Sequence, residues 1–299
     1  MMELLGNQFP ALLHSVLNRL PVVVVGADIE LIDEIVDSVA ALCPHRHKLV
    51  FWRDFTTDAE ILDAHEEERH DHEVVRTVVC SMSASFRLLT ERISTFVGWI
   101  IAVPIDNVVM GTSVTEEALA DLLEHIESTS ENCGIVRVIS PSVIRFGQLK
   151  ECDSSLTVER TIVAKILENR NQALERIRRI LSRSLHDTDL PEPTMMALLQ
   201  LDDEAEKVVR DMFEEEISRY VHAARRALTI LSRIRILREL GARATLAERN
   251  LFEAIGWSIG GLDDMMRFMK SEWYEDFSDC IRGSGLLGLG EWVESMWGG

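Results

Sequence analysis

Five short apolar runs punctuate the first half of the chain: PVVVVGA (21–27), KLVFWRDF (48–55), VVRTVVCSM (74–82), GWIIAVPID (98–106) and GIVRVISPS (134–142). They are rich in Val and Ile and nearly continuous in apolarity, the pattern of strands buried on both faces. Helix-start signals lie between them: Asp28 before IELIDEIVDSVAAL, Thr57 with Glu60, and Ser113 with Glu116. The last two pairs have capping-box spacing, in which each side chain satisfies an otherwise orphaned N–H. Strand and helix in alternation predict an α/β fold over residues 1–150: a mostly parallel five-stranded sheet with helices on both faces.

After Lys150 the strand signals stop, and an all-α domain is predicted over 151–299. Segment 154–185 places Leu156, Val163, Leu167, Leu174, Ile177 and Leu181 at heptad-like spacing; segment 214–240 does so with Ile217, Val221, Ala224, Leu228 and Leu231. Two long helices with one apolar stripe each must bury it against each other or against another copy. HDTDLPEPT (186–194) breaks the first of them. Thr245 and Glu248 make a third capping box, and the helix they open is predicted to end at Gly260 and Gly261. The glycine-punctuated tail after Arg282 carries Leu286, Leu287, Leu289, Trp292, Val293, Met296 and Trp297, which a helix would gather on one face.

Charge narrows the choice of partners. Thirty-one Lys and Arg stand against 50 Asp and Glu, a net charge of −19, which on average repels nucleic acid and anionic membranes. Five cysteines are scattered with no C-x-x-C pair, as in a protein with reduced thiols. The N-terminal stretch lacks a basic start followed by an apolar block, and no apolar run approaches the ~18 residues of a bilayer span. These features predict a soluble, cytoplasmic protein.

An apolar strand ending in Gly26 and followed at once by a helix is how nucleotide-binding domains open. Yet Ala27, Asp28, Ile29, Glu30 and Leu31 supply no second glycine, no lysine and no hydroxyl for a metal, all of which a phosphate loop needs. Asp28, Glu30, Asp33 and Glu34 crowd the first two turns with carboxylates, which answer the helix dipole in place of an anion. Gly26 is therefore expected to make the turn and Asp28 to cap the helix. Over about the first 140 residues the order of elements resembles RecA-like or clamp-loader-like domains that have lost their ATP chemistry; receiver-like and Rossmann-like arrangements also fit.

Other chemistry is conceivable at the carboxyl ends of the strands, where open parallel sheets bind ligands. Asp28, Asp54 and Asp106 could converge on Mg²⁺, giving a metal-dependent phosphoryl-transfer or nucleotide-processing enzyme. Helix capping is the plainer role for them. His45, His47, His65, His70 and His72 have the composition of a zinc or nickel site without its spacing. Cys80 and Ser81 lack a nucleophile elbow. No cofactor is predicted, Mg²⁺ under the enzyme alternative excepted.

The charge map of the second half says more. Segments 155–185 and 217–249 carry +4 and +6, whereas 186–216 and 250–299 carry −9 and −6. A nucleic-acid alternative takes Arg178, Arg179, Arg225, Arg226 and Arg233 as phosphate contacts, with Arg176, Arg183, Arg235 and Arg238 beside them. No aromatics interleave to stack bases, so pairing with the neighbouring acidic segments, within the fold or between subunits, is the preferred reading. Arg170 falls on the first long stripe, where a charge must pair or snorkel. Trp257, Trp273 and nearby methionines suit a small core; Trp292, Val293, Met296 and Trp297 suit an interface. The predicted function is that of a non-catalytic regulatory or assembly protein, meeting a second copy or another protein through Arg170, the long helices and the tail.

Overall fold

A computed structural model describes residues 1–51, 59, 76–83, 97–105, 115–129, 132–150, 155–184 and 192–282; for 116, 118, 129, 174, 177, 178, 180–184 and 192–206 it describes the backbone only. The α/β part comprises α1 (Met2–Leu5), α2 (Phe9–Leu17), β1 (Val22–Gly26), α3 (Ile29–Ala40), β2 (His47–Phe51), β3 (Thr77–Ser81), β4 (Ile100–Pro104), α4 (Glu116–Thr129), β5 (Gly134–Ser140) and β6 (Val143–Gln148). The helical part comprises α5 (Thr157–Ser184), α6 (Glu192–Glu239), β7 (Leu246–Ala247), α7 (Glu248–Ile255), α8 (Leu262–Trp273) and β8 (Ile281–Arg282). No helix among the described residues is long and apolar enough to cross a membrane.

Among the described residues the sheet has six strands in the order β2-β3-β4-β1-β5-β6, the first five parallel and β6 antiparallel. In receiver-like sheets β1 lies between β2 and β3, and in Rossmann-like ones between β2 and β4; among the described strands it lies between β4 and β5, an order that matches neither. The sixth strand is an addition to the predicted five. In Val143–Gln148 every second residue is exposed, so the stretch lacks the continuous apolarity that marked the other strands. β1, β3 and β4 are buried along their whole length. The edge strand β2 is largely open, and β5 alternates.

One sheet face, formed by Val22, Val24, Val78, Ile100, Ala102 and Val136, receives α2, α3 and the helical part in a single continuous apolar cluster. The other face, formed by Val23, Val25, Val79, Ile101 and Val103, receives Leu119 and Ile126 of α4. Asp28 caps α3 as expected, accepting the Leu31 N–H at 3.3 Å. Ile32, Ile35, Val36 and Val39 then form the buried stripe of that helix.

Several helix details differ from the sequence reading. In α5 the buried stripe runs through Val158, Ile162, Val163 and Ile166, while Leu167 lies on its exposed flank. A straight helix turns once in 3.6 residues and drifts off a strict heptad. Helix α6 begins at Glu192, far upstream of residue 214, with Pro193 in the first turn, where its missing N–H costs nothing. Its stripe follows expectation: Ile217, Val221, Ala224 and Leu231 are buried. Thr245 and Glu248 form no capping box, since Leu246–Ala247 pairs as a strand with Ile281–Arg282. Helix α7 ends earlier than expected, at the left-handed Gly256 (φ 64°), and Gly261 instead starts α8. Gly260 abuts Val158, where a Cβ would lie 2.3 Å from Cγ2.

Candidate functional site

The crevice between β1 and β4 is the switch point of this sheet. The chain leaves β1 for the far edge and later leaves β4 for the opposite side, so the two connections diverge above their carboxyl ends. Gly26 sits at the mouth of that crevice. A Cβ there would come within 2.7 Å of Ile32 Cγ2 and 3.0 Å of the Val138 carbonyl oxygen. The glycine is thus required for close packing of α3 onto the sheet, and no positive φ is involved. On the next turn of α3, Asp33 accepts from the Ser83 N–H at 2.8 Å and its hydroxyl at 3.0 Å, tying α3 to the end of β3. Burial pushes the Asp33 carboxyl up, against the lowering effect of the two Ser83 bonds. Asp28, Asp33 and Ser83 at this rim thus serve the fold. Asp54 and Asp106, the other two candidate Mg²⁺ ligands, lie outside the described residues, as do His65, His70 and His72.

His45 and His47 part company: His47 opens β2 on the surface, whereas His45 is buried. No group of three or more metal-ligating side chains occurs among the described residues. Cys43, Cys80, Cys133 and Cys280 are buried free thiols. Burial pushes Cys80 well up and Cys133 to about 12, far from the thiolate character of a nucleophile.

A polar junction that the sequence reading missed joins the two parts. The Arg46 guanidinium caps the end of α2, donating to the carbonyls of Val16 (2.6 Å) and Leu17 (2.8 Å). It also grips Glu272 of α8, with Nη2 2.6 Å and Nε 3.1 Å from Oε2. Arg76 donates to the Glu272 carbonyl at 2.6 Å and stacks with Tyr274. Burial acts to raise the Glu272 carboxyl, but the Arg46 guanidinium, with His45, outweighs it and holds that group well below the usual carboxylate range. Burial holds the His45 imidazole below its ordinary value; its Nε2 lies 3.5 Å from Glu272 and its ring packs beside Phe268. The signal was present in the chain, for Glu272 falls on the stripe made by Met265, Phe268 and Met269. A second buried pair, His14 with Glu159 at 2.8 Å, ties α2 to α5.

Three arginines of α6 turn inward to the chain's own acids and carbonyls. Arg226 bonds the Ile255 carbonyl. Arg235 bonds Glu275 at 2.6 Å and lies over the Phe277 ring at 3.9 Å. Arg238 bonds Asp279 through both its carbonyl and its carboxylate. Arg170 of α5 pairs with Glu3 of α1. Arg225 and Arg233 face outward, Arg176 and Arg179 line a shallow groove along α5, and the Arg178 side chain is outside the described set. Trp257, Trp273, Met265 and Met269 fill the core. Trp292, Val293, Met296 and Trp297 lie outside the described residues.

Where α6 ends, its apolar residues come to the surface. Ile236, Leu237 and Leu240 are 54%, 49% and 79% exposed, and with Arg233 they recur at the three- and four-residue spacing of one helix face. Comparison with protein families, with characterised proteins and with solved structures gives no significant match.

Proposed function

We propose that this chain is a non-catalytic assembly or regulatory protein, whose helical part meets another polypeptide, either a second copy or a different protein. The observation that carries the reading is the apolar face at the end of α6, where Ile236 and Leu237 on the helix and Leu240 just beyond it are exposed. Lone exposed apolar residues are common on protein surfaces; three neighbours on one helix face form the seed of a helix-in-groove contact. Arg233, at the rim, would set orientation through charge. The tail residues Trp292, Val293, Met296 and Trp297 have the chemistry of anchors for the same purpose, and Arg170 orders the α1–α5 side through Glu3.

The inward pairing of Arg226, Arg235 and Arg238 supports this reading over nucleic-acid binding, because guanidiniums already held by carboxylates and carbonyls offer little to phosphates. The carboxylate-rich start of α3 supports it over nucleotide turnover.

Size-exclusion chromatography of native-cell extract tests the reading. The 33.9 kDa chain is expected to elute in a larger complex, and the double variant Leu237→Asp, Leu240→Asp to elute as the free monomer with its fold intact. Elution of both as monomers would remove the proposal.

A further inference from the structure

The β5–β6 hairpin breaks three rules of sheet construction at one place. Arg137 and Arg145 stand directly opposite each other across the two strands, and like charges in that position repel. Both are exposed, and neither makes an ion pair or a side-chain hydrogen bond with any of the described residues, although acids outnumber bases in the chain by 50 to 31. The register slips between Val138 and Ser140, leaving Ile139 without a cross-strand partner; bulges of this kind re-aim side chains. Ile139 is 61% exposed and Val143 42%, so two β-branched apolar residues flank the guanidinium pair on the open side of the hairpin. The backbone edge of β6 is partly closed, since Gln8 Oε1 accepts the Phe146 N–H at 3.0 Å. What the hairpin offers is therefore its side chains.

We propose that this hairpin face is a docking surface for an acidic, apolar-flanked peptide segment of a partner protein. One carboxylate would bridge Arg137 and Arg145, while neighbouring aliphatic side chains cover Ile139 and Val143. A bridging anion turns the repulsion into two charge-assisted bonds. The two aliphatic flanks favour a polypeptide over nucleic acid, for among the described residues the patch holds no aromatic ring on which a base could stack. This surface is distinct from the end of α6, and either can fail without the other.

A residue pair kept for binding at the expense of stability gives a signature that a structural pair does not. Arg145→Glu creates a cross-strand ion pair with Arg137, so it is expected to raise the melting temperature by about 2 °C while abolishing binding. Binding is read on the isotope-labelled full chain by amide shifts during titration with an acetylated Leu-Glu octapeptide, its Leu-Lys counterpart and an oligothymidylate of equal charge. The proposal expects shifts at Arg137, Ile139, Val143 and Arg145 with the Leu-Glu peptide alone, at millimolar affinity or better, lost in Arg145→Glu and weakened at least threefold in the milder Arg137→Gln. It is overturned if the hairpin amides stay still with that peptide, if oligothymidylate moves them instead, or if Arg145→Glu lowers the melting temperature.

Discussion

Two sets of arginines in this molecule have opposite fates. On α6, Arg226, Arg235 and Arg238 each end on a carbonyl or carboxylate of the segment from Ile255 to Asp279. On the β5–β6 hairpin, Arg137 and Arg145 pair with no acid among the described residues and face each other. The first set is more numerous and, in a count of charge along the chain, more conspicuous. The second is the one whose placement the fold does not explain. Charge density thus says little about function until each guanidinium has been traced to its partner; an arginine already satisfied is part of the scaffold.

That contrast can be broken or sharpened by substitution. The largest effect belongs to the most buried scaffold pair. Glu272→Ala leaves Arg46 charged and uncompensated in the core, and is expected to cost about 3–5 kcal/mol in a urea titration. A loss below about 1 kcal/mol would show that the junction holds the two parts together by apolar packing alone. Next comes Gly26→Ala, whose methyl must displace Ile32 or strand β5; about 1–3 kcal/mol of destabilisation is expected by thermal unfolding. A neutral result would return Gly26 to the list of residues kept for a ligand. Within α6, Arg235→Ala should cost about 1 kcal/mol through the loss of Glu275 and the Phe277 ring. Arg233→Ala should change stability by less than about 0.5 kcal/mol, and equal losses from the two would erase the distinction between inward and outward arginines.

The smallest effect is a pH dependence. In the folded chain burial holds His45 below its ordinary value, whereas in the unfolded chain it takes a proton below about pH 6.5. The folded state therefore loses stability as the pH falls through that value, and the loss continues down to the lowered folded value. His45→Gln is expected to flatten the slope of stability below about pH 6.5. An unchanged slope would place the titrating group elsewhere.

Much of the fold could be read from local pattern. Continuous Val and Ile runs gave β1, β3 and β4, and Asp28 marked the start of α3, because burial on both faces and helix capping leave traces within a few residues. The sixth strand was missed because Arg145 and Gly147 interrupt the apolar residues of Val143–Gln148 and leave no continuous run, although Arg137 and Arg145 lie symmetrically about Pro141 in RVISPSVIR. The end of α7 was misplaced because three glycines compete there: Gly256 and Gly260 both take a positive φ, and only the fold shows that the first ends the helix while the second abuts Val158. The junction was the least legible. Arg46 and Glu272 are separated by more than two hundred residues, and nothing local to either reveals the other. Sequence reasoning could note that Glu272 interrupts an apolar stripe and must find a cation; it could not say which.

The most direct measurement is photo-crosslinking in the native cell, with a benzophenone amino acid at position 237 and, as a control, at the exposed position 229 of the same helix. A discrete polypeptide adduct from 237 and none from 229 is the predicted result. If neither position yields an adduct, or both yield the same smear, the end of α6 is ordinary surface and the account of this chain as an assembly protein is contradicted.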